Sequence, residues 1–229
     1  MIDRMNLLFT GASGFLGYNV LPLLKKKYSV ETIGLTSQDD YIVNLAAEIP
    51  KLAGKYDVIL HVAGKAHSLP KTEAEKRLFF DVNLQGTKNL CTALEQSGIP
   101  KSFIFISTVA VYGCDSGENI TEEYPLNGTT PYALSKIKAE KYLEEWCAMH
   151  NVKLSILRPS LIAGPNPPGN LGAMIHGIKS GKYLSIAGGK AQKSVLMVQD
   201  IANLVPLLIE KGGIYNVCDS YQPSFRELE

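Results

Sequence analysis

The sequence predicts an α/β fold, a doubly wound sheet of parallel strands followed by a small C-terminal lobe. Short apolar runs alternate with stretches of helical spacing through the first 158 residues. Most of these runs are apolar almost throughout, as in parallel strands that helices cover on both faces. A cluster of glycine, proline and asparagine at 164–169 then ends the alternation. We therefore place a first domain at residues 1–163 and a second lobe at 164–229, and we expect part of 194–217 to pack back on the first domain.

Composition limits the partners of the protein. Its 229 residues are 45% hydrophobic and 20% charged, with a formal net charge of +1, which describes a globular domain. Acidic and basic residues are interspersed, so the sequence predicts no basic surface for nucleic acid or a membrane. No secretory signal is visible, and the four cysteines and four histidines are too scattered for a metal site. We expect a cytoplasmic protein with reduced thiols, no metal and a small-molecule partner.

The first predicted strand leads into a glycine-rich turn. An apolar run at 6–10 is followed by Gly11, Gly14 and Gly17, and then by helical spacing over 18–27. Glycines let the backbone turn tightly and approach a pyrophosphate, while the unpaired N–H groups of a helix N-terminus attract negative charge. The spacing Gly-x-x-Gly-x-x-Gly differs from the commoner Gly-x-Gly-x-x-Gly. Its place after an N-terminal strand nevertheless favours a dinucleotide site over a structural turn.

The second strand, predicted at 29–35, leaves the choice of coenzyme open. An acid that binds the cofactor ribose is expected about twenty residues after the glycine loop. Thr36 and Ser37 occupy the end of this strand, with Asp39 and Asp40 beyond it. The sequence therefore places at the strand tip neither an acid that would repel a 2′-phosphate nor an arginine that would bind one. NAD and NADP both stay open.

Polar residues occupy unusual positions in the next two elements. A buried strand at 57–62 contains His61, which we interpret as a hydrogen-bonded core histidine rather than a ligand. A capping box of Thr72 and Glu75 begins a helix that extends to about residue 96. Asn83 lies in the middle of that helix, where asparagine is unfavourable, and we expect a packing or polar role for it. A tolerated surface asparagine is the plain alternative.

Two hydroxyl groups follow the strand predicted at 102–106. Ser107 and Thr108 come directly after a run that is apolar almost throughout. Ligands of open α/β sheets bind at the carboxyl ends of the strands. We therefore expect these hydroxyls to face the same crevice as the glycine loop.

A tyrosine and a lysine four residues apart begin a long helix, predicted at 131–149. Thr130 suits the N-cap and Pro131 the first helical position. Tyr132 and Lys136 share the apolar face of this helix, where a lysine needs a partner. Our hypothesis is a tyrosine acid/base whose pKa the ammonium lowers. The commoner alternative for a lone pair of this kind is a core tyrosine above a lysine that reaches the surface.

Weaker signals mark the C-terminal third. Its predicted elements are a strand at 152–157, a helix near 171–180, a strand pair around 183–198, a helix at 200–210 and a strand at 213–217. Ser224 and Glu227 form a second capping box, whose helix reaches only about one turn at Glu229 and is unstable alone. We therefore expect an incomplete second lobe, through truncation or in a shortened homologue.

Taken together, these motifs resemble the extended short-chain dehydrogenase/reductases, in particular the NAD-dependent epimerase/dehydratase family that acts on nucleotide sugars. The resemblance covers essentially the whole chain. It rests on the ordered motifs Gly11-x-x-Gly14-x-x-Gly17, His61-Val62-Ala63-Gly64, Asn83-x-x-Gly86-Thr87, Ser107-Thr108 with Val111-Tyr112-Gly113, Tyr132-x-x-x-Lys136, Arg158-Pro159, Gly164-Pro165 and Asn170-Leu171.

The resemblance implies a Rossmann fold, NAD as cofactor with NADP still open, a nucleotide-sugar substrate and a homodimer. It assigns catalysis to Thr108, Tyr132 and Lys136: Tyr132 takes a proton from a sugar hydroxyl, Thr108 binds the reacting oxygen, and Lys136 lowers the tyrosine pKa and holds the nicotinamide ribose. Substrate contacts are implied for Thr108, Asn170 and Lys193. Cofactor contacts are implied for Gly11, Ser13, Gly14, Phe15, Leu16, Gly17, Thr36, Asn44, Leu45, Val62, Ala63, Gly64, Asn83, Ser107, Tyr132, Lys136 and Pro159.

Departures from the family pattern shape the expected activity. Thr36 replaces the acidic residue that usually binds the cofactor ribose. Ala163 stands where the family often has a tyrosine, and Lys193 stands where an arginine usually meets the substrate phosphate. Family dehydratases place Asp-Glu after the catalytic threonine, whereas Val-Ala at 109–110 follows Thr108 here. Since eliminating water needs an added acid and base, we expect a 4-epimerase that works through a 4-keto intermediate. A keto-sugar reductase is the alternative, and a non-catalytic NAD(P)-binding regulator is the alternative from another class.

Overall fold

The computed structural model describes residues 4–66, 68–185 and 187–229. In these ranges the main sheet has seven strands, all parallel, in the order β3-β2-β1-β4-β5-β6-β9. This arrangement confirms the predicted doubly wound parallel sheet. The strands are β1 (Asn6–Thr10), β2 (Ser29–Gly34), β3 (Tyr41–Ile42), β4 (Val58–His61), β5 (Ser102–Ile106), β6 (Lys153–Pro159) and β9 (Gly213–Val217).

Helices cover both faces of the main sheet. On one face α1 (Phe15–Leu24) and α6 (Val198–Lys211) pack over an apolar core, and on the other α3 (Gly86–Ser97) and α4 (Pro131–His150) pack over a second core. The central strands are mostly apolar because they are buried on both sides; all five residues of β5 are buried. Within the described ranges, no helix is long and apolar enough to cross a membrane.

A π-helical turn divides the helix that was predicted from 73 to 96. The first part, α2 (Glu73–Phe80), begins at the predicted capping box, in which Thr72 and Glu75 cap each other. The wider turn spans Asp81–Gln85 and precedes α3. Asn83 lies in this turn and is only 1% exposed. The structure thus confirms a buried, polar role for Asn83, and π-helical turns occur often at functional sites.

The C-terminal lobe differs in part from the prediction. β7 (Leu161–Ala163) pairs in parallel with β8 (Val195–Met197) in a small second sheet, accompanied by α5 (Gly169–Lys179) and α7 (Phe225–Leu228). The strand pair predicted around 183–198 is wrong, since β8 is the one strand in the described part of this stretch. Gly188 and Gly189 have φ values of 68° and 64° and form a tight turn, which L-residues in a strand do not adopt. Meanwhile β9 lies beside β6 at the edge of the main sheet.

Candidate active site

A cavity of about 930 Å³ lies at the carboxyl ends of the main-sheet strands. The charged side chains in its described lining are Lys65, Lys136 and Lys193, with neither Asp nor Glu among them, and such a lining suits an anionic ligand. Most of the predicted site residues line this cavity: Gly11, Ser13, Gly14, Phe15, Leu16, Asn44, Leu45, Val62, Ala63, Gly64, Ser107, Thr108, Tyr132, Lys136, Pro159, Asn170 and Lys193. Gly17, Thr36 and Asn83 lie outside the described lining.

The glycine loop brings backbone close to this cavity. Gly11 has a φ of 81°, and a Cβ there would lie 2.7 Å from the backbone nitrogen of Ala63. A Cβ on Gly17 would lie 2.4 Å from the Gly11 carbonyl oxygen, so Gly17 lets α1 pack against the loop. Gly14 is the N-cap of α1, and no side chain caps that end. The first N–H groups of α1 therefore stay available for a diphosphate, the group that a dinucleotide would place there.

At the end of β2 the structure corrects the sequence interpretation. Asp39 folds back toward the strand, and its Oδ2 accepts hydrogen bonds from the backbone N–H and the hydroxyl of Thr36, at 3.1 and 2.7 Å. A Cβ on Gly34 would lie 2.3 Å from this carboxylate. An acid therefore does stand at the strand tip, where a ribose would bind. Thr36 is exposed and holds Asp39 instead of lining the cavity.

His61 forms a buried relay below the cavity. The Thr10 hydroxyl accepts hydrogen bonds from the backbone N–H groups of 62–63, so it donates its own hydrogen to His61 Nδ1 at 2.7 Å. His61 Nε2 is then the protonated nitrogen and lies 2.9 Å from the Thr87 hydroxyl, which donates to the carbonyl of Asn83 at 2.7 Å. Burial lowers the pKa of the His61 ring to about 3. The predicted core histidine is confirmed, and it is neutral at physiological pH.

The Asn83 side chain joins two segments that border the cavity. Its Oδ1 accepts from the backbone N–H of Lys65 at 2.7 Å, and its Nδ2 donates to the Lys65 carbonyl at 3.1 Å and to Ser135 Oγ at 2.8 Å. Ser135 Oγ in turn donates to the carbonyl of Tyr132 at 2.7 Å. Asn83 thus ties the loop after β4 to the first turn of α4.

The start of α4 agrees with the sequence prediction. The Thr130 side chain accepts a hydrogen bond from the backbone N–H of Ala133, and Pro131 is the first helical residue. Lys136 is 4% exposed, and its Nζ donates to the carbonyl of Ile106 at 2.8 Å while lying 4.6 Å from the centroid of the Phe105 ring. Burial lowers the pKa of Lys136 to about 8. The lysine that reaches the surface, the plain alternative, is therefore wrong.

The Tyr132 phenol has a pKa shifted in the opposite direction from our hypothesis. Burial raises the pKa of Tyr132, and the nearby Thr108 hydroxyl opposes this rise. The Lys136 ammonium donates its hydrogen bond to the carbonyl of Ile106 and not to the phenol. The Thr108 hydroxyl accepts from the backbone N–H of Ala110 at 3.2 Å, which leaves its hydrogen free to donate into the cavity.

A buried ion pair that was not predicted from the sequence lies behind these residues. Arg158 donates from Nη2 to Glu140 Oε2 at 2.6 Å and from Nε to Oε1 at 3.2 Å. Ser107 Oγ also donates to the Glu140 carboxylate. The sequence does contain a signal for this pair. Glu140 follows Lys136 by four residues and therefore places an acidic residue on the apolar face of α4.

Comparisons with known proteins agree with this geometry. The model of the NAD dependent epimerase/dehydratase family matches residues 7–218. An Escherichia coli O157:H7 relative, N-acetyl-alpha-D-glucosaminyl-diphospho-ditrans,octacis-undecaprenol 4-epimerase, is 30% identical over 97% of this chain and 70% of its own length. The GDP-6-deoxy-D-mannose reductase of Pseudomonas aeruginosa is 26% identical over 97% of this chain and 77% of its own length.

The fold also matches a solved structure. The UDP-glucose 4-epimerase of Thermus thermophilus in complex with NAD superposes with a TM-score of 0.79 and 24% identity, over 98% of this chain and 81% of that one. The family model covers most of the chain, and its match includes the glycine loop and the Tyr132–Lys136 pair. The chain is thus a member of the NAD-dependent epimerase/dehydratase family.

Proposed function

We propose that the protein is an NAD(P)-dependent 4-epimerase of nucleotide sugars that works through a transient 4-keto sugar. The observation that carries this proposal is the convergence of Thr108, Tyr132 and Lys136 on the cavity that the glycine loop also lines. The lysine-rich lining suits both a dinucleotide and a sugar diphosphate. In this proposal residues 1–163 hold the cofactor, and the lobe at 164–229 contributes Asn170 and Lys193 to the substrate.

The chemistry assigns one task to each side chain. Tyr132 accepts the proton of the sugar C4 hydroxyl while the electron pair of the C4–H bond leaves as hydride, so that a C=O bond forms. Thr108 donates a hydrogen bond to the reacting oxygen. When bound, the nicotinamide supplies the acceptor and later the donor of that hydride. Return of the hydride to the opposite face, with the proton from Tyr132, completes the epimerisation.

Tyr132 needs a neighbouring positive charge for this task. Burial raises the pKa of its phenol, whereas a base has to spend part of its time as phenolate. The Lys136 ammonium supplies such a charge from the same helix face, one turn further along α4. The N–H groups after Gly14 would hold the diphosphate of the coenzyme, and its ribose would lie beside Gly34, which the Asp39 carboxylate adjoins.

The cavity lining argues against the dehydratases of the family. No carboxylate belongs to its described lining, and the apolar pair 109–110 follows Thr108. Eliminating water needs an additional acid and base, which these residues do not supply. A keto-sugar reductase uses the same three residues, and the Pseudomonas aeruginosa relative carries that activity in its name. Reduction of a nucleotide keto-sugar is therefore the second candidate function.

The test is an assay of the purified protein with UDP-glucose, UDP-N-acetylglucosamine and N-acetylglucosamine linked to diphospho-undecaprenol. The third compound is included because the Escherichia coli relative is named for it. NMR of the sugar follows the configuration at C4, and mass spectrometry of the denatured protein identifies any dinucleotide that it held. Inversion without net use of NAD(P)H supports the epimerase. Net oxidation of added NAD(P)H by a keto-sugar supports the reductase, and binding without turnover supports a regulator.

We also propose that the protein acts in the cytoplasm as a homodimer. Cys91, Cys114, Cys147 and Cys218 are free thiols, which suits a reducing compartment. Light scattering during size-exclusion chromatography measures the mass in solution. A mass of about twice the 25.0 kDa of one chain supports the dimer, and a single-chain mass contradicts it.

A further inference from the structure

Three ionised side chains are buried together behind the catalytic residues. Lys136 is 4% exposed, Glu140 2% and Arg158 3%. Glu140 and Arg158 form the ion pair described above, with Nη2 and Oε2 2.6 Å apart. Charges are rarely buried to this degree without a function or a partner, and the mechanism above uses only Lys136.

The carboxylate of Glu140 also reaches the strand that carries the catalytic threonine. Ser107 Oγ donates to Glu140 Oε1, and Ser107 directly precedes Thr108. Arg158 Nη1 donates to Tyr112 Oη at 2.9 Å and to the carbonyl of Glu122 at 3.0 Å. Glu140 thus links α4 to the end of β5, and Arg158 continues the link to the loop that follows β5.

The surroundings of Lys136 show which charge acts on it. Tyr132 and Glu140 lie one turn away on either side along α4, and His61 approaches from β4 as a neutral ring. Arg158 on β6 donates to Glu140, and Glu144 follows one turn later on α4. Burial lowers the pKa of Lys136, and the charge of Glu140 opposes that fall. Lys136 and Glu140 lie one turn apart on one face of α4 and both are buried, so this carboxylate is placed to support the ammonium form.

We propose that Glu140 is a positioning residue of this active site, holding Ser107 next to Thr108 and keeping Lys136 in its ammonium form. The catalytic part of this inference rests on the proposed function. Without the Glu140 charge, Lys136 would lose its proton at a lower pH, and Tyr132 would then lack the positive charge that its phenolate needs. The proposal differs from a purely structural ion pair in one respect. In a purely structural pair, loss of either partner would change the pKa of Lys136 in a similar way. Here the charge of Glu140 would raise that pKa, and the charge of Arg158 would lower it.

The first experiment measures the Lys136 titration directly. Protein labelled with ¹³Cε-lysine is titrated by NMR in the wild type, Glu140→Gln and Arg158→Gln, and Lys136→Met assigns the signal. We expect Glu140→Gln to lower the pKa of Lys136 by about one unit or more, and Arg158→Gln to leave it at or above the wild-type value. Equal values in the wild type and Glu140→Gln, or a fall of similar size in both variants, would overturn the proposal.

The second experiment measures turnover as a function of pH. We expect Glu140→Gln to shift the basic limb of the kcat profile to lower pH by the same amount, with a loss of about fivefold in kcat at pH 8 for a shift of one unit and little change in KM. Glu145→Gln is the matched control, because it removes an equal charge from an exposed position on the same helix. An unchanged profile in Glu140→Gln with an active wild type contradicts the proposal.

A double variant and the lysine titration distinguish a failure to fold and a failure of the proposed function from a failure of this inference. Where Glu140→Gln alone leaves Arg158 unpaired and does not fold, the double variant Glu140→Gln/Arg158→Gln removes both buried charges, and we still expect a lowered pKa of Lys136. If the wild type turns over no sugar in the panel, the proposed function fails. The lysine titration then still decides whether Glu140 supports the ammonium.

Discussion

His61 Nδ1 lies 2.7 Å from the hydroxyl of Thr10, and the two residues are register partners at the carboxyl ends of β4 and β1. The bond joins the strand that leads into the glycine loop to the strand that leads into the loop at 62–66. Because Thr10 already accepts two backbone N–H groups, the bond also sets the tautomer of the imidazole. A histidine beside the cavity is therefore part of its framework and not an acid or base of the reaction.

The first prediction concerns the pH dependence of stability that His61 creates. The folded-state pKa of about 3 lies below the ordinary value of 6.5, so the unfolded chain takes up a proton first as the pH falls. The stability that belongs to the neutral ring is complete above pH 6.5 and is lost progressively toward pH 3. We expect a loss of about 2 kcal/mol in the free energy of unfolding between pH 7 and pH 5.

Urea unfolding of the wild type and His61→Gln at the two pH values checks this prediction. The variant is less stable at pH 7, because the hydroxyls of Thr10 and Thr87 lose their shared partner, at about 1–3 kcal/mol for each unsatisfied group. The difference in the free energy of unfolding between the wild type and His61→Gln should decrease by about 2 kcal/mol from pH 7 to pH 5. His176→Gln, at an exposed position of α5, serves as the control. A gap that stays constant would show that His61 is protonated in the folded protein.

The second prediction concerns the phenol of Tyr132. In Tyr132→Phe the ring keeps its packing against Phe79, whose centroid lies 6.1 Å away, so we expect an unchanged melting temperature and unchanged dinucleotide affinity. Turnover should fall by about 10²–10⁴-fold, the usual contribution of a general acid/base. Steady-state kinetics and dinucleotide titration separate the two quantities. Tyr142→Phe, ten residues later on α4, is the matched control, and a Tyr132→Phe rate within threefold of wild type would contradict the enzyme proposal.

Local signals in the sequence were sufficient for most of the elements and most of the cavity, although the short strands β3 and β7 were not predicted and the strand pair around 183–198 was wrong. β5 has the predicted bounds because its four consecutive apolar residues, 103–106, suit a strand buried on both faces. α4 begins where Thr130 caps it, and the capping box at Thr72 forms as predicted. In each case the signal lies within a few residues of the feature that it predicts. The parallel winding then brings the strand ends, and the residues that follow them, to one edge of the sheet.

The features that sequence reasoning missed depend on contacts between distant or re-entrant segments. Asp39 reaches the tip of β2 only because the turn at 35–38 folds back over Gly34. The ion pair of Glu140 and Arg158 spans 18 residues and forms only when α4 packs on β6. The pKa of Tyr132 rises instead of falling because the phenol is buried, while Lys136 donates to a carbonyl across the sheet end. Helix spacing alone contains none of this information.

The third prediction concerns the coenzyme. The Asp39 carboxylate lies against Gly34 at the tip of β2, outside the described cavity lining, and its charge would act on a 2′-phosphate that bound beside Gly34. We therefore expect the wild type to bind NAD more tightly than NADP. Asp39→Asn keeps an oxygen for the bonds to Thr36 but removes the charge, and the affinity for NADP relative to NAD should rise by about tenfold or more.

Fluorescence titration with both dinucleotides measures this ratio. Asp40→Asn is the control, since it removes an equal charge from the same turn while its carboxylate bonds instead to the backbone N–H of Thr32 at 2.8 Å. A ratio that changes equally in both variants would indicate a general effect of charge and would remove Asp39 from coenzyme choice.

The last prediction separates two glycines of the loop that a sequence motif treats alike. A Cβ on Gly17 would lie 2.4 Å from the carbonyl oxygens of Gly11 and Ala12. Both contacts are with backbone, which cannot move aside without separating α1 from the loop, so we expect Gly17→Ala to destabilise the fold by about 3 kcal/mol. A Cβ on Gly14 has its nearest neighbour at 3.4 Å. Gly14→Ala should therefore stay within about 0.5 kcal/mol of the wild type.

Dinucleotide affinity should distinguish the two glycines as well, because here the substitution at Gly14 has a direct effect. Gly14 lines the cavity where a diphosphate would approach the N-terminus of α1, and an added methyl group there holds the diphosphate away from the N–H groups. We expect Gly14→Ala to weaken dinucleotide binding by at least about tenfold while the protein stays folded. Thermal unfolding and dinucleotide titration of both variants provide the comparison. Full affinity in Gly14→Ala would place the diphosphate elsewhere, because a ligand seated on that helix end cannot avoid the methyl group.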